Sequence, residues 1–226
     1  MTKGIIFDFN GTMFFDSREN EAAWQEFILD LRGESISDQD FQNHIHGRSN
    51  ESALEYLLQR SITPEELGRY TKQKETLYRT LCLKNKERLH LVDGLPELLD
   101  QLVEMNIPIA IATSAEKSNL DFYLHHFNLL HWFNLDKIIY NDGTFPCKPD
   151  PTIYLKATKA LNLSPPDCIV IEDSPSGIKA AKAADIGKII RIASPEDFAF
   201  LQNLSEVDSV ITDFKNFDLS WIGSSK

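Results

Sequence analysis

The stretch Gly4-Ile5-Ile6-Phe7-Asp8-Phe9-Asn10-Gly11-Thr12 decides the fold. A short, almost wholly apolar run enters an acidic residue and then a glycine-bearing turn. That is the pattern of a strand buried on both faces whose end carries polar groups. Five more short runs share the character, at residues 108–113, 137–140, 168–172, 188–192 and 209–211. From residue 108 onward, helical patterns at 117–126, 151–161 and 175–184 lie between them. This is the βαβ rhythm of a parallel sheet with helices on both faces. The reading is an α/β fold with a Rossmann-like doubly wound parallel sheet core.

The first interval breaks the rhythm, with about 95 residues where one crossover helix would suffice. Only helical periodicity appears in it. Ala23, Trp24, Phe27, Ile28 and Leu31 share one face, and Ala53, Leu54, Leu57 and Leu58 share another. Thr63-Pro64-Glu65-Glu66 reads as a capping box with proline at the first helical position, opening a long polar helix towards Leu83. A helix over 95–103 returns to the sheet. The expected organisation is a core of residues 1–16 and 89–226 with an α-helical cap, residues 17–88, inserted after the first strand.

The chain has 226 residues, of which 42% are hydrophobic and 25% charged. That balance suits a folded globular protein and excludes disordered, collagenous and disulfide-scaffold classes. With 23 basic and 34 acidic residues the formal charge is −11, which repels nucleic-acid backbones and anionic lipid. No nucleic-acid or membrane partner is expected. Cys82, Cys147 and Cys168 are scattered and show no C-x-x-C spacing, so neither a disulfide framework nor a zinc site is read. The opening apolar run is too short for a signal-peptide core, and the expected location is cytoplasmic. No heptads appear, and a monomer is expected.

In an open parallel sheet, ligands sit beyond the carboxyl ends of the strands. Four such places carry polar groups: Asp8-Phe9-Asn10-Gly11-Thr12, Thr113-Ser114, Cys147-Lys148-Pro149-Asp150 and Glu172-Asp173-Ser174. A carboxylate at one strand end facing an acidic pair at another makes an oxygen-rich site suited to Mg²⁺. A lysine and hydroxyls complete an anion site. Metal and lysine around one carboxylate suit phosphoryl transfer, in which the carboxylate itself can be the nucleophile.

These four segments, over nearly the whole chain, resemble the haloacid dehalogenase superfamily of aspartate-nucleophile phosphotransferases. The branch they resemble most contains β-phosphoglucomutase and the small-metabolite phosphatases. The resemblance implies that Asp8 is the nucleophile forming an aspartyl phosphate, and that the Asn10 backbone carbonyl is a Mg²⁺ ligand. It implies that Thr113, with Ser114 beside it, binds the transferring phosphoryl group. Lys148 is implied to hold nucleophile and phosphate together. Asp173, with Glu172 through water, completes the metal site. The expected activity is that of a Mg²⁺-dependent phosphatase acting on a small phosphorylated metabolite, a sugar phosphate in particular.

The sequence departs from the resemblance at Asn10, where the family usually has a second aspartate as general acid and base. An amide exchanges no proton near neutral pH, a loss of roughly 10²–10⁴-fold, or about 3–5 kcal/mol. Three explanations stand: another acid or a leaving group that needs none, a non-catalytic relative, or an engineered trap. Deamidation of Asn10-Gly11 would restore the acid. The cap departs too. A mutase of this branch has a histidine shortly after the first motif, absent from Asp16-Ser17-Arg18-Glu19-Asn20-Glu21, and an arginine further beyond the cap glycine than Arg48 lies from Gly47. Gly47 and Arg48 remain candidates for gripping a substrate oxyanion. A hexose phosphate mutase and an impaired phosphate-ligand binder therefore stay open beside the phosphatase. Phe14, Trp24 and Phe27 read as core, and His125, His126 and His131 as surface or packing residues.

Overall fold

The structure, a computed structural model, describes residues 3–45, 48–194 and 207–223. Contacts divide the chain into two compact units, one of Asp16–Leu89 and one of Met1–Phe15 with His90–Lys226.

In the larger unit the described residues form one six-stranded sheet of β1 (Gly4–Phe7), β2 (Ile109–Glu116), β3 (Ile138–Asn141), β4 (Cys168–Glu172), β5 (Lys188–Ile192) and β6 (Ser209–Ile211). The order is β3-β2-β1-β4-β5-β6, and every pairing is parallel. β1 lies centrally, with Ile6 opposite Ala110 on one side and Val170 on the other. The chain winds outward from β1 to β3 and then restarts at β4 on the opposite side, so the strand order reverses beside β1. That is the switch point at which open α/β sheets bind ligands.

Side chains alternate across the sheet. Ile6, Ala110, Ala112 and Val170 pack with Ile153, Tyr154 and Ala157, and with Ile178, Ala180 and Ala181. The second and third groups come from α7 (Thr152–Ala160) and α8 (Pro175–Ala183). The ring of Phe7, next to Ile6 on β1, meets Phe133 at 6.3 Å and Phe214 at 6.1 Å. Both faces of β1 are thus covered, which is why its sequence is an apolar run rather than an alternation. β2 runs three residues further than its apolar stretch because its pairing with β3 shifts register between Thr113 and Glu116. α5 (Leu95–Glu104) buries Leu95, Leu98, Leu99 and Leu102, a helical stripe, and α6 (Lys117–His126) follows β2.

The smaller unit holds α1 (Ser17–Arg32), α2 (Asp38–His44), α3 (Asn50–Leu58) and α4 (Pro64–Lys84). Its core is Trp24, Phe27, Ile28, Phe41, Ile45, Ala53, Leu54 and Leu57. α1 ends at Gly33 in the left-handed region, where glycine carries no steric penalty. α4 opens on a complete capping box: Thr63 accepts from the Glu66 N–H and Glu66 accepts from the Thr63 N–H. α2 escapes sequence reading because Phe41 is its one buried residue and no period can show. No helix of the described residues is long and apolar enough to cross a membrane.

Candidate active site

The carboxyl ends of β1 and β4, adjacent in the sheet, bring Asp8 beside Glu172 and Asp173. Oxygen atoms of the three carboxylates lie within 4.8 Å of one another. The loop entering α7 delivers Lys148 to the same place. Its Nζ lies 2.6 Å from Asp8 Oδ1 and 2.6 Å from Glu172 Oε1, and it donates to the Ala112 carbonyl at 3.2 Å. The side chains are almost sealed from solvent, Lys148 5% exposed and Glu172 0%. Burial works against the ammonium, yet Asp8 and Glu172 together hold the Lys148 pKa well above its ordinary range. It is a fixed positive charge.

Glu172 is fully engaged. Its Oε1 accepts from Lys148 and, at 2.8 Å, from the Tyr154 hydroxyl, while its Oε2 accepts from the Ser174 N–H and hydroxyl at 2.9 Å each. Burial pushes its carboxyl up, but Lys148 and these donors more than offset that and leave it below the usual range. The side chain fits against the first turn of α8 because residue 177 is glycine. A Cβ there would come within 1.7 Å of Glu172 Oε1. Ser174 caps the same helix by accepting from the Gly177 N–H at 3.0 Å.

Asp173 has the opposite electrostatics. Burial, Glu172 and Asp8 all push its carboxyl well above the usual range. It accepts from the Thr12 hydroxyl at 3.4 Å and lies so close to Gly11 that a Cβ would sit 2.2 Å from its Oδ2. Gly11 also has φ +74°, so backbone conformation and close approach both select glycine. Three carboxylates facing one ammonium leave the cluster short of positive charge. The donor set is hard oxygen throughout, and Asp8 and Asp173 are the better ligands because both Glu172 oxygens already accept hydrogen bonds. The residues present fit Mg²⁺.

Thr113 is 1% exposed within β2, where the apolar stretch ends and the pairing with β3 shifts, its hydroxyl accepting from the Ala115 N–H at 3.1 Å, whereas Ser114 is exposed. Asn10 donates through Nδ2 to the Tyr123 hydroxyl at 2.7 Å, and the Tyr123 ring stacks on Phe9 at 4.3 Å. Arg48 belongs to the smaller unit, exposed, with Nη2 donating to the Asn43 carbonyl at 3.1 Å. Gly47 lies outside the described residues. Phe14 packs against Phe127 at 5.0 Å and Trp24 against Phe27 at 5.8 Å, both as core. Sequence reading quoted Ser174 beside Asp173 without a role for it and missed Tyr154, Gly177 and Tyr123. Tyr154 and Tyr123 lie on apolar helix faces, where an aromatic reads as packing. Ser174-Pro175 did carry a helix-start signal.

Compared with known proteins, residues 5–190 match the family model for haloacid dehalogenase-like hydrolases. The chain belongs to the haloacid dehalogenase-like hydrolase family. It is similar to a crystal structure of a family IA, variant 3 hydrolase from Entamoeba histolytica, 37% identical, covering 97% of this chain and 96% of that one, with a TM-score of 0.89. It is 28% identical over 225 residues to validoxylamine A 7'-phosphate phosphatase of Streptomyces hygroscopicus, with 100% of both chains covered. It is 30% identical over 189 residues to β-phosphoglucomutase of Bacillus subtilis, with 80% of each covered. The chain is an enzyme of the haloacid dehalogenase phosphatase and hydrolase type, in the branch that holds phosphoglucomutases and phosphatases of phosphorylated metabolites.

Proposed function

We propose that the protein is a Mg²⁺-dependent phosphatase of a small phosphorylated metabolite, a sugar phosphate, working through an aspartyl phosphate on Asp8. The observation that carries this reading is the Asp8–Lys148 pair at 2.6 Å within the three-carboxylate cluster. Lys148 fixes the Asp8 carboxylate by one oxygen and sets a permanent positive charge beside the position a phosphoryl group would occupy. Glu172 holds Lys148 in turn, and Tyr154 and Ser174 hold Glu172. Thr113 and Ser114 supply hydroxyls at the neighbouring strand end for the phosphoryl oxygens. Asp8 and Asp173, with the Asn10 carbonyl and Glu172 through water, would hold Mg²⁺, which when bound neutralises phosphoryl charge. The unit Asp16–Leu89 serves as the cap, with Gly47 and Arg48 as its substrate-gripping candidates. The similarity to a phosphate phosphatase over the full chain supports hydrolysis.

The similarity to β-phosphoglucomutase favours a second reading, a hexose phosphate mutase. One assay separates the two. Phosphate release from aryl and sugar phosphates, with and without chelator, is expected to require Mg²⁺ and to vanish in Asp8→Ala. Isomer formation without phosphate release would replace the phosphatase with the mutase. Activity retained in Asp8→Ala would end both readings.

A further inference from the structure

The Tyr154 hydroxyl does more than satisfy Glu172, and this inference rests on the function just proposed. We propose that Tyr154 is a positioning residue for phosphoryl transfer, its hydroxyl setting how the Lys148 ammonium is divided between Glu172 and the nucleophile Asp8. Two donors meet on one atom. Glu172 Oε1 accepts from the Tyr154 hydroxyl at 2.8 Å and from Lys148 Nζ at 2.6 Å, while both Ser174 donors go to the other oxygen, Oε2. The positive end of the O–H dipole beside Oε1 weakens the pull of that oxygen on the ammonium. Without the hydroxyl, Lys148 is drawn towards Glu172 and away from Asp8. Packing keeps the hydroxyl in place. Tyr154 is 0% exposed, lies in the core with Ile6, Ala110 and Val170, and has its ring centre 5.0 Å from Lys148 Nζ. A phenylalanine ring would fill the same space. Core packing thus accounts for the ring and leaves the hydroxyl, a group costly to bury without a partner, to the site.

The division matters because Lys148 has no proton to spare. Its three N–H groups meet Asp8 Oδ1 at 2.6 Å, Glu172 Oε1 at 2.6 Å and the Ala112 carbonyl at 3.2 Å. A phosphate that has merely bound therefore takes little from the ammonium. The reaction changes this. As an Asp8 oxygen forms its bond to phosphorus, the bond to the leaving oxygen breaks and its electron pair departs on that oxygen. The carboxylate charge is used in the new bond, and the N–H that Asp8 held turns to a phosphoryl oxygen. How readily it turns depends on how tightly Glu172 grips the same ammonium, which is what the Tyr154 hydroxyl moderates. The effect belongs to the transition state rather than to ground-state binding.

The test follows hydrolysis of para-nitrophenyl phosphate in Mg²⁺, with inorganic phosphate as the inhibitor that reports ground-state binding. It compares the unmodified chain, Tyr154→Phe, a chain carrying 3-fluorotyrosine at position 154, and Asp8→Ala. Tyr154→Phe is expected to lower kcat/KM by about 10-fold while the phosphate inhibition constant stays within about 2-fold. The fluorinated phenol, a stronger donor, is expected to restore at least the activity of the unmodified chain, and it carries the test alone if Tyr154→Phe does not fold. A purely structural hydroxyl would lower the melting temperature without splitting rate from binding. Full activity in Tyr154→Phe overturns the proposal, as does an equal loss of rate and of phosphate binding. So does a fluorinated chain less active than the unmodified one. Each of these leaves the phosphatase reading standing as long as Asp8→Ala is inactive. Activity retained in Asp8→Ala, or no hydrolysis by the unmodified chain, ends that reading and the role of Tyr154 with it.

Discussion

Each unit buries a lysine against carboxylates, and the two arrangements differ in charge. In the helical unit, Lys74 pairs with Glu75 at 2.6 Å and donates to Asn20 at 3.0 Å, its Nζ 5.1 Å from the Trp24 ring. Nearby, Glu19 has Arg88 at 3.2 Å, and Asp16 accepts from the Tyr78 hydroxyl at 2.5 Å. Glu19 and Glu75 thus each have a cation of their own. At the sheet end, Lys148 bonds both Asp8 and Glu172, and Asp173 lies against the same two carboxylates. Burying ions is costly, and near-neutral pairing is how a fold limits the cost. A buried surplus of one sign instead leaves the site waiting for a counter-charge, a mark of function rather than packing.

The largest effect expected from breaking this comparison comes from removing each lysine. Lys148→Met leaves buried carboxylates without their cation and is expected to lose about 3–5 kcal/mol of unfolding free energy. Mg²⁺ is expected to return part of that loss, because it supplies the missing charge to the same oxygens. Lys74→Met is expected to destabilise as well, with no recovery in Mg²⁺. Urea titrations of both variants with Mg²⁺ and with chelator check the contrast; equal recovery in the two would erase the distinction.

Two glycines sharpen it at the next level. Gly177→Ala drives a methyl into the Glu172 carboxylate, with 1.7 Å between Cβ and Oε1, and is expected to lower stability by about 2–4 kcal/mol. Gly68, inside α4, has nothing within 4 Å of the place an alanine methyl would take, and Gly68→Ala is expected to raise stability by about 0.5–1 kcal/mol through helix propensity. Thermal melts of the two give opposite signs if the core end is tightly packed around its charges and the helical surface is not.

The smallest effect is the α4 cap. Thr63→Ala is expected to remove about 1 kcal/mol. Its partner Glu66, bonded first by Arg60 and then by the Thr63 N–H, has its carboxyl lowered from 4.5 to about 2. A carboxyl depressed on folding stabilises above its unfolded value and loses that contribution as pH falls towards the folded one. The difference between the unmodified chain and Glu66→Gln is therefore expected above about pH 4.5 and to shrink between there and about pH 2. A difference that grows in acid would contradict the assignment.

The sequence by itself determined the local features. Six apolar runs announced six strands because buried parallel strands need no polar alternation. Thr63-Pro64-Glu65-Glu66 announced α4 because a capping box is complete within four residues. Asp8, Thr113, Glu172 and Asp173 stood out because they end or follow strand-like runs, where a parallel sheet presents its ligand-binding edge, and Lys148 because it lies in the loop between two such runs. The tertiary structure alone decided which of them touch and how their charges divide. Asp8 and Lys148 are 140 residues apart in sequence, and only the pairing of β1 with β4 and the path of the loop before α7 set them at 2.6 Å. Tyr154, Gly177 and Tyr123 were hidden for the same reason. Their roles consist of filling or leaving space around another residue's polar group, and that space exists only once the strands and helices have packed.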